Sequence, residues 1–207
     1  MSRRKILNHF ARVDPALAKA VKGLEPFPEF PLPQHRRISH FESLARAIVY
    51  QQLAGKAAAT IWGRAVALTS GSRAPKPVEF LRFTDEEHRG VGLSRNKMLA
   101  IQDLARRIES GELKLGSVSR WGNEQVLDKL VEVRGIGLWT AQMFLMFKLG
   151  RPDVFPSTDL GIQEGIRKLD CLEERPKPKE AAARASVWEP YRTAASWYLW
   201  RLADQTD

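Results

Sequence analysis

Two segments carry the side chains best suited to chemistry. In VRGIGLWTA, residues 133–141, Gly135 and Gly137 separate two apolar runs. Glycines at this spacing permit positive φ and close approach of a backbone to another molecule, and a following helix opens with amides that lack intrahelical acceptors. A phosphate suits such a site. The bland alternative is a tight turn between two helices, and an isolated Gly-x-Gly does not decide between them. In FPSTDLGIQ, residues 155–163, Asp159 stands where a proline-containing loop ends and a helix can begin. An aspartate there can cap the helix. Capping and chemistry are compatible, because helix-end amides favour an anion.

The elements that must hold these segments are helical. Asp14-Pro15 starts a short helix that stops near Gly23, and EPFPEFPLP, with four prolines in residues 25–33, reads as an extended connection. Ser39 caps a helix with Phe41, Leu44, Ala45, Ile48 and Val49 on one face, and after a break at QQLAG a second helix runs through KAAATIWGRAVAL. SGSRAPKP, residues 70–77, reads as a loop. Ser94, in GLSRNK, caps a helix carrying Met98, Ile101, Leu104, Ala105 and Ile108, and NEQVLDKLVEV precedes the hairpin. The run LWTAQMFLMFKLG is apolar nearly all round, as for a central helix. Another helix runs from Asp159 to Leu169, RPKPKE is a linker, and residues 180–203 form one or two last helices. No alternating strand pattern and no internal repeat occur, so the fold class is all-α.

Composition narrows the function. In 207 residues, 33 Lys and Arg against 24 Asp and Glu leave a net charge of +9, which favours polyanionic partners, nucleic acid first. Lys56, Arg95, Lys97 and Arg134 are natural phosphate contacts. The single cysteine, Cys171, excludes an internal disulfide and a four-cysteine metal or iron-sulfur site. No stretch approaches the roughly 20 apolar residues of a membrane span, and the N-terminus lacks a secretory h-region. The expectation is a soluble intracellular protein without a membrane partner. His9, His35, His40 and His88 are scattered, which suits surface or structural roles.

Together, Val133–Ala141 and FPSTDLGIQ resemble the helix-hairpin-helix and Gly/Pro-rich loop with aspartate of a DNA glycosylase superfamily. FESLARAIVYQQLAGKAAATI and GLSRNK resemble segments of its 3-methyladenine DNA glycosylase II branch. The resemblance covers about residues 39–202. It implies a single compact domain of two helical lobes, one of about 39–131 and one of about 1–33 with 132–207, with the active-site cleft between them. It further implies an enzyme that bends double-stranded DNA, flips an alkylated base out and hydrolyses its N-glycosidic bond, in the cytoplasm with the nucleoid or in a nucleus. A monomer is expected.

The resemblance also assigns roles. Asp159 becomes the catalytic carboxylate, stabilising the oxocarbenium-like sugar or activating water. Trp139 occupies the position of the lysine that forms a Schiff base in lyase-competent relatives, so base removal without strand cleavage is implied. Its indole face suits a cationic purine. Tyr191 and Met143 complete the base pocket, the methionine replacing a frequent aromatic. Gln52 or Leu53 fills the vacated stack, and Gly135, Gly137, Arg134 and Thr140 grip DNA. No cofactor is expected. A structural monovalent cation on hairpin carbonyls is allowed. Trp188, Trp197 and Trp200, at helical spacings, read as core. Three other readings compete: a non-catalytic hairpin module, a glycosylase for mismatched or oxidised bases, and a helix-turn-helix regulator. The last is disfavoured because residues 138–149 are too apolar for a major groove.

Overall fold

The computed structural model describes residues 2–69 and 76–205. Among them there is no strand, in agreement with the all-α expectation. The α-helices are α1 (Arg3–Val13), α2 (Pro15–Ala20), α3 (Pro33–Arg36), α4 (His40–Tyr50), α5 (Gly55–Ala67), α6 (Pro77–Arg82) and α7 (Asp85–Gly90). They continue with α8 (Arg95–Glu109), α9 (Asn123–Val131), α10 (Leu138–Met143), α11 (Leu160–Leu169), α12 (Pro178–Arg184) and α13 (Arg192–Ala203). Several starts are fixed locally. Asp14, Ser39, Thr84 and Ser94 each accept a hydrogen bond from the amide three residues on, a cap worth about 1 kcal/mol. Many of these helices are too short to persist alone, so packing of their apolar faces must hold them.

Some elements differ from the sequence expectation. The N-terminal residues form α1, whose buried Ile6 and Phe10 lie one turn apart among basic, exposed neighbours. RPKPKE is only partly linker, because Pro178 takes the first position of α12. The apolar run after the hairpin is not one α-helix: α10 ends at Met143 and a π-helical turn spans Phe144–Lys148. Of the expected loop at 70–77, residues 70–75 lie outside the described residues and Pro77 already begins α6.

Packing divides the chain into two units, Met1–Pro33 with Leu145–Asp207, and Gln34–Phe144. The hairpin therefore belongs with the middle of the chain, where the sequence reading had put 132–144 with the termini. Three contacts account for this. Gln51 Nε2 donates to the Gly135 carbonyl, the Arg134 amide donates to Asp103, and Gly135 lies against Ala100.

In the unit containing both termini, α11 packs on α13, and Ile6, Phe10, Leu17, Trp188, Tyr198 and Leu199 fill the core. Asp14 does more than cap α2. Its carboxylate also accepts from Trp188 Nε1 at 2.8 Å and Arg184 Nη2 at 2.6 Å. Burial would raise its pKa, but the bonds from the Leu17 amide, Arg184 and Trp188 outweigh that and lower it.

In the middle unit, α4 and α6 pack on α8 around Leu44, Ile48, Phe80, Ile101 and Leu104. His88 is fully buried there beside Phe80 and Phe83. Desolvation lowers its pKa, with the Phe80 backbone, Asp85 and Glu87 opposing in part. As pH falls below the ordinary value of 6.5, the unfolded chain binds a proton that the folded chain resists. Stability should therefore decline from pH 7.5 to pH 5.5, and His88→Leu should flatten that slope, as measured by urea denaturation at about these two pH values.

Candidate active site

Asp159 caps α11 through Oδ1, which accepts from the Ile162 amide at 2.9 Å and from Trp200 Nε1 at 2.9 Å. The carboxylate is thus held by its own helix and by α13. Gly161 leaves room for the indole, since a Cβ there would stand only 3.0 Å from Trp200 Cδ1 and 3.1 Å from Asp159 Oδ1. Trp200 in turn stacks on Phe147, with centroids 6.1 Å apart. Phe147 and Trp197 both meet Phe30, forming an aromatic wall in the same unit.

The loop that delivers Asp159 is pinned along its length. Arg192 grips Asp153 through two bonds of 2.7 and 2.8 Å, and Thr193 Oγ1 donates to the Arg151 carbonyl at 2.7 Å while accepting from the Val154 amide. Gln163 Nε2 donates to the Ser157 carbonyl at 2.9 Å. Fixing loop and helix together places the anion before any ligand arrives, which is what electrostatic catalysis needs.

Trp200 was expected in the core with Trp188 and Trp197. Trp188 is fully buried, but Trp200 is only partly so and bonds the candidate catalytic carboxylate. Sequence reasoning missed it because spacing identifies a helix face and not what the indole N–H will meet. Tyr191 precedes α13 and presses edge-on to His9, with ring centroids 5.1 Å apart.

The remaining candidates lie in the other unit. Gly135 has φ of +75°, and a Cβ there would stand 2.9 Å from Ala100 Cβ. Gly137 needs no positive φ. It is the extended N-cap of α10, with open space where a Cβ would be. Leu138 and Trp139 are each 46% exposed, so Trp139 is not core, and the Arg134 side chain is exposed beside them. Met143 is partly buried at the end of α10. The Thr140 side chain is buried and accepts from Gln51 Nε2 at 3.3 Å, which ties the hairpin to the end of α4.

Between α4 and α5, Gln52 adopts φ of +56° and Leu53 is 38% exposed, so Leu53 is not an ordinary helix-end core residue. Lys56 and Arg95 are exposed at the starts of α5 and α8. Lys97 is drawn back onto the end of α4. Its ammonium donates to the carbonyls of Val49 and Gln51, both at 2.7 Å, and burial lowers its pKa. Two of the three ammonium donors are thereby committed to backbone acceptors. Among the described residues, no group of three or more His, Cys, Asp and Glu could hold a metal.

A glycine-turned hairpin between two helices, followed by a pinned loop whose last residue is a helix-capping aspartate, defines a class of helical proteins. Residues 45–190 match the HhH-GPD superfamily of base excision DNA repair proteins. The chain belongs to this superfamily. It is 36% identical over 170 residues to DNA-3-methyladenine glycosylase 1 of Schizosaccharomyces pombe, covering 80% of this chain and 75% of that protein. The structure of the 3-methyladenine DNA glycosylase of S. pombe in complex with abasic DNA superposes with a TM-score of 0.82 at 32% identity, covering 98% of this chain and all of that one. A DNA-3-methyladenine glycosidase from Bacillus halodurans gives 0.86 at 34% identity over 99% of this chain and 90% of that one.

Proposed function

We propose that this chain is a monofunctional DNA glycosylase that removes alkylated purines, 3-methyladenine and 7-methylguanine among them, from duplex DNA in base excision repair. The observation that carries this reading is Asp159, fixed on Oδ1 by the Ile162 amide and the Trp200 indole at the head of α11. As the C1′–N bond breaks, its electron pair leaves with the base and positive charge grows on the sugar. A preplaced carboxylate stabilises that charge, and water then adds to C1′ while its proton passes to Asp159 or to solvent. A purine alkylated at N3 or N7 is already cationic, so no strong general acid is required. Trp139 supplies a π face to such a base and has no amine to attack the sugar.

Double-stranded DNA is the proposed partner of a monomer acting where the genome lies. The hairpin at Gly135–Gly137 with Arg134 receives the phosphodiester, Lys56 and Arg95 add backbone contacts, and Gln52 with Leu53 forms the wedge. No helix among the described residues is long and apolar enough to cross a membrane. The proposed enzyme uses no cofactor. A structural monovalent cation on the hairpin carbonyls belongs to the same proposal.

The direct test is base release from methylated duplex DNA without added metal or nucleotide. Free methylated purine should appear while the strand stays intact until alkali is added. Strand breaks formed without alkali would contradict the absence of lyase activity, and no released base at all would overturn the glycosylase reading. A second measurement addresses the carboxylate's support. Trp200→Phe keeps an aromatic ring against Phe147 but removes the N–H to a charged acceptor, and should lower the single-turnover rate about 10-fold.

A further inference from the structure

The turn at Gln51–Ala54 and the hairpin are joined by contacts that neither DNA binding nor the sugar chemistry requires. α4 ends without a capping glycine, and Lys97 Nζ, reaching from α8, takes the carbonyls of Val49 and Gln51 at 2.7 Å each. Gln51 then extends its side-chain amide to the hairpin, donating to the Gly135 carbonyl at 3.0 Å and to Thr140 Oγ1 at 3.3 Å. One glutamine is thereby held through its backbone on one side and holds the hairpin through its side chain on the other. The next residue, Gln52, is in the left-handed region, and Leu53 after it is exposed.

We infer that Gln51 and Lys97 are positioning residues that make the wedge turn and the phosphate-binding hairpin one rigid device, so that seating the phosphodiester and opening the base stack occur as a single event. This deepens the glycosylase reading and rests on it. Both act through the turn and the hairpin and not on the reacting atoms. Their effect is on the duplex-opening step, whose cost is smallest when the target base is already unpaired.

That dependence gives the test. Gln51→Ala and Lys97→Met should each lower single-turnover release of a methylated purine from fully paired duplex about 10-fold or more, yet lower release from a single-stranded or bulged site less than about 2-fold. Gln51→Glu, which replaces the donor amide by a carboxylate facing the Gly135 carbonyl, should behave like Gln51→Ala. Hydrogen exchange of the hairpin amides in the same variants supplies a readout independent of activity, and it should accelerate at residues 135–140 although the substitution sits on another element. Equal losses on paired and unpaired substrates, or unchanged hairpin exchange in a folded Gln51→Ala protein, would overturn the inference. Wild-type protein that releases no base fails the functional reading instead, and the exchange measurement still decides whether the two loops are coupled.

Discussion

Asp159→Asn is expected to lower base release from alkylated duplex about 10³-fold while leaving the fold intact. The substitution is a clean one because asparagine caps helices as well as aspartate does. Its side-chain oxygen can still accept from the Ile162 amide and from Trp200 Nε1, so the loop, α11 and α13 keep their links. What disappears is the negative charge, with a change in stability under about 1 kcal/mol from the lost interaction with the helix end. Single-turnover release and thermal unfolding on the same preparation separate the two effects. Full activity in a stably folded Asp159→Asn protein would remove the carboxylate from the mechanism, and parallel loss of activity and folding would reassign it to structure.

The largest effect on stability is expected at Gly165. α11 and α13 meet there so closely that a Cβ would lie 2.3 Å from the Leu199 carbonyl oxygen and 2.8 Å from its Cα. These are backbone atoms, so no side chain can rotate away. Gly165→Ala must move one helix relative to the other, at a cost of about 3 kcal/mol or more. α11 carries Asp159 at its head and α13 carries Trp200, so the same displacement strains the 2.9 Å bond between them. The expected result is a lower unfolding midpoint in urea together with a loss of base release at temperatures where the variant is still folded. A stability within about 0.5 kcal/mol of wild type would show that the two helices do not approach as closely in solution.

Much of the architecture was legible because it is encoded locally. Ser39, Ser94 and Asp159 are caps whose chemistry can be read from the residue and its position. The periodic faces of α4 and α8 are buried as their spacing predicts. What was not legible depends on partners distant in sequence. Lys97 has the composition of a phosphate ligand, and only tertiary structure brings it to two carbonyls 46 and 48 residues away. Trp200 belongs to an aromatic periodicity that suggests core, and its relation to Asp159 arises from a helix crossing permitted by Gly161 and Gly165. α1 was hidden by its arginines and lysine, although its two buried residues suffice to dock it. The hairpin's membership in the middle unit rests on the Gln51, Asp103 and Ala100 contacts, each with a residue more than 30 positions away.

The left-handed backbone at Gln52 also constrains how this protein can adapt. Valine or isoleucine introduced there would meet a penalty of about 1–2 kcal/mol before encountering any nucleic acid, whereas asparagine or glycine would be accommodated. Leu53 carries no such restriction, since its φ is not positive. In a library randomised at both positions and selected for survival under alkylating agents, diversity should accumulate at 53 and remain narrow at 52. The path open to laboratory evolution is thus set by chain geometry before any choice of lesion is made.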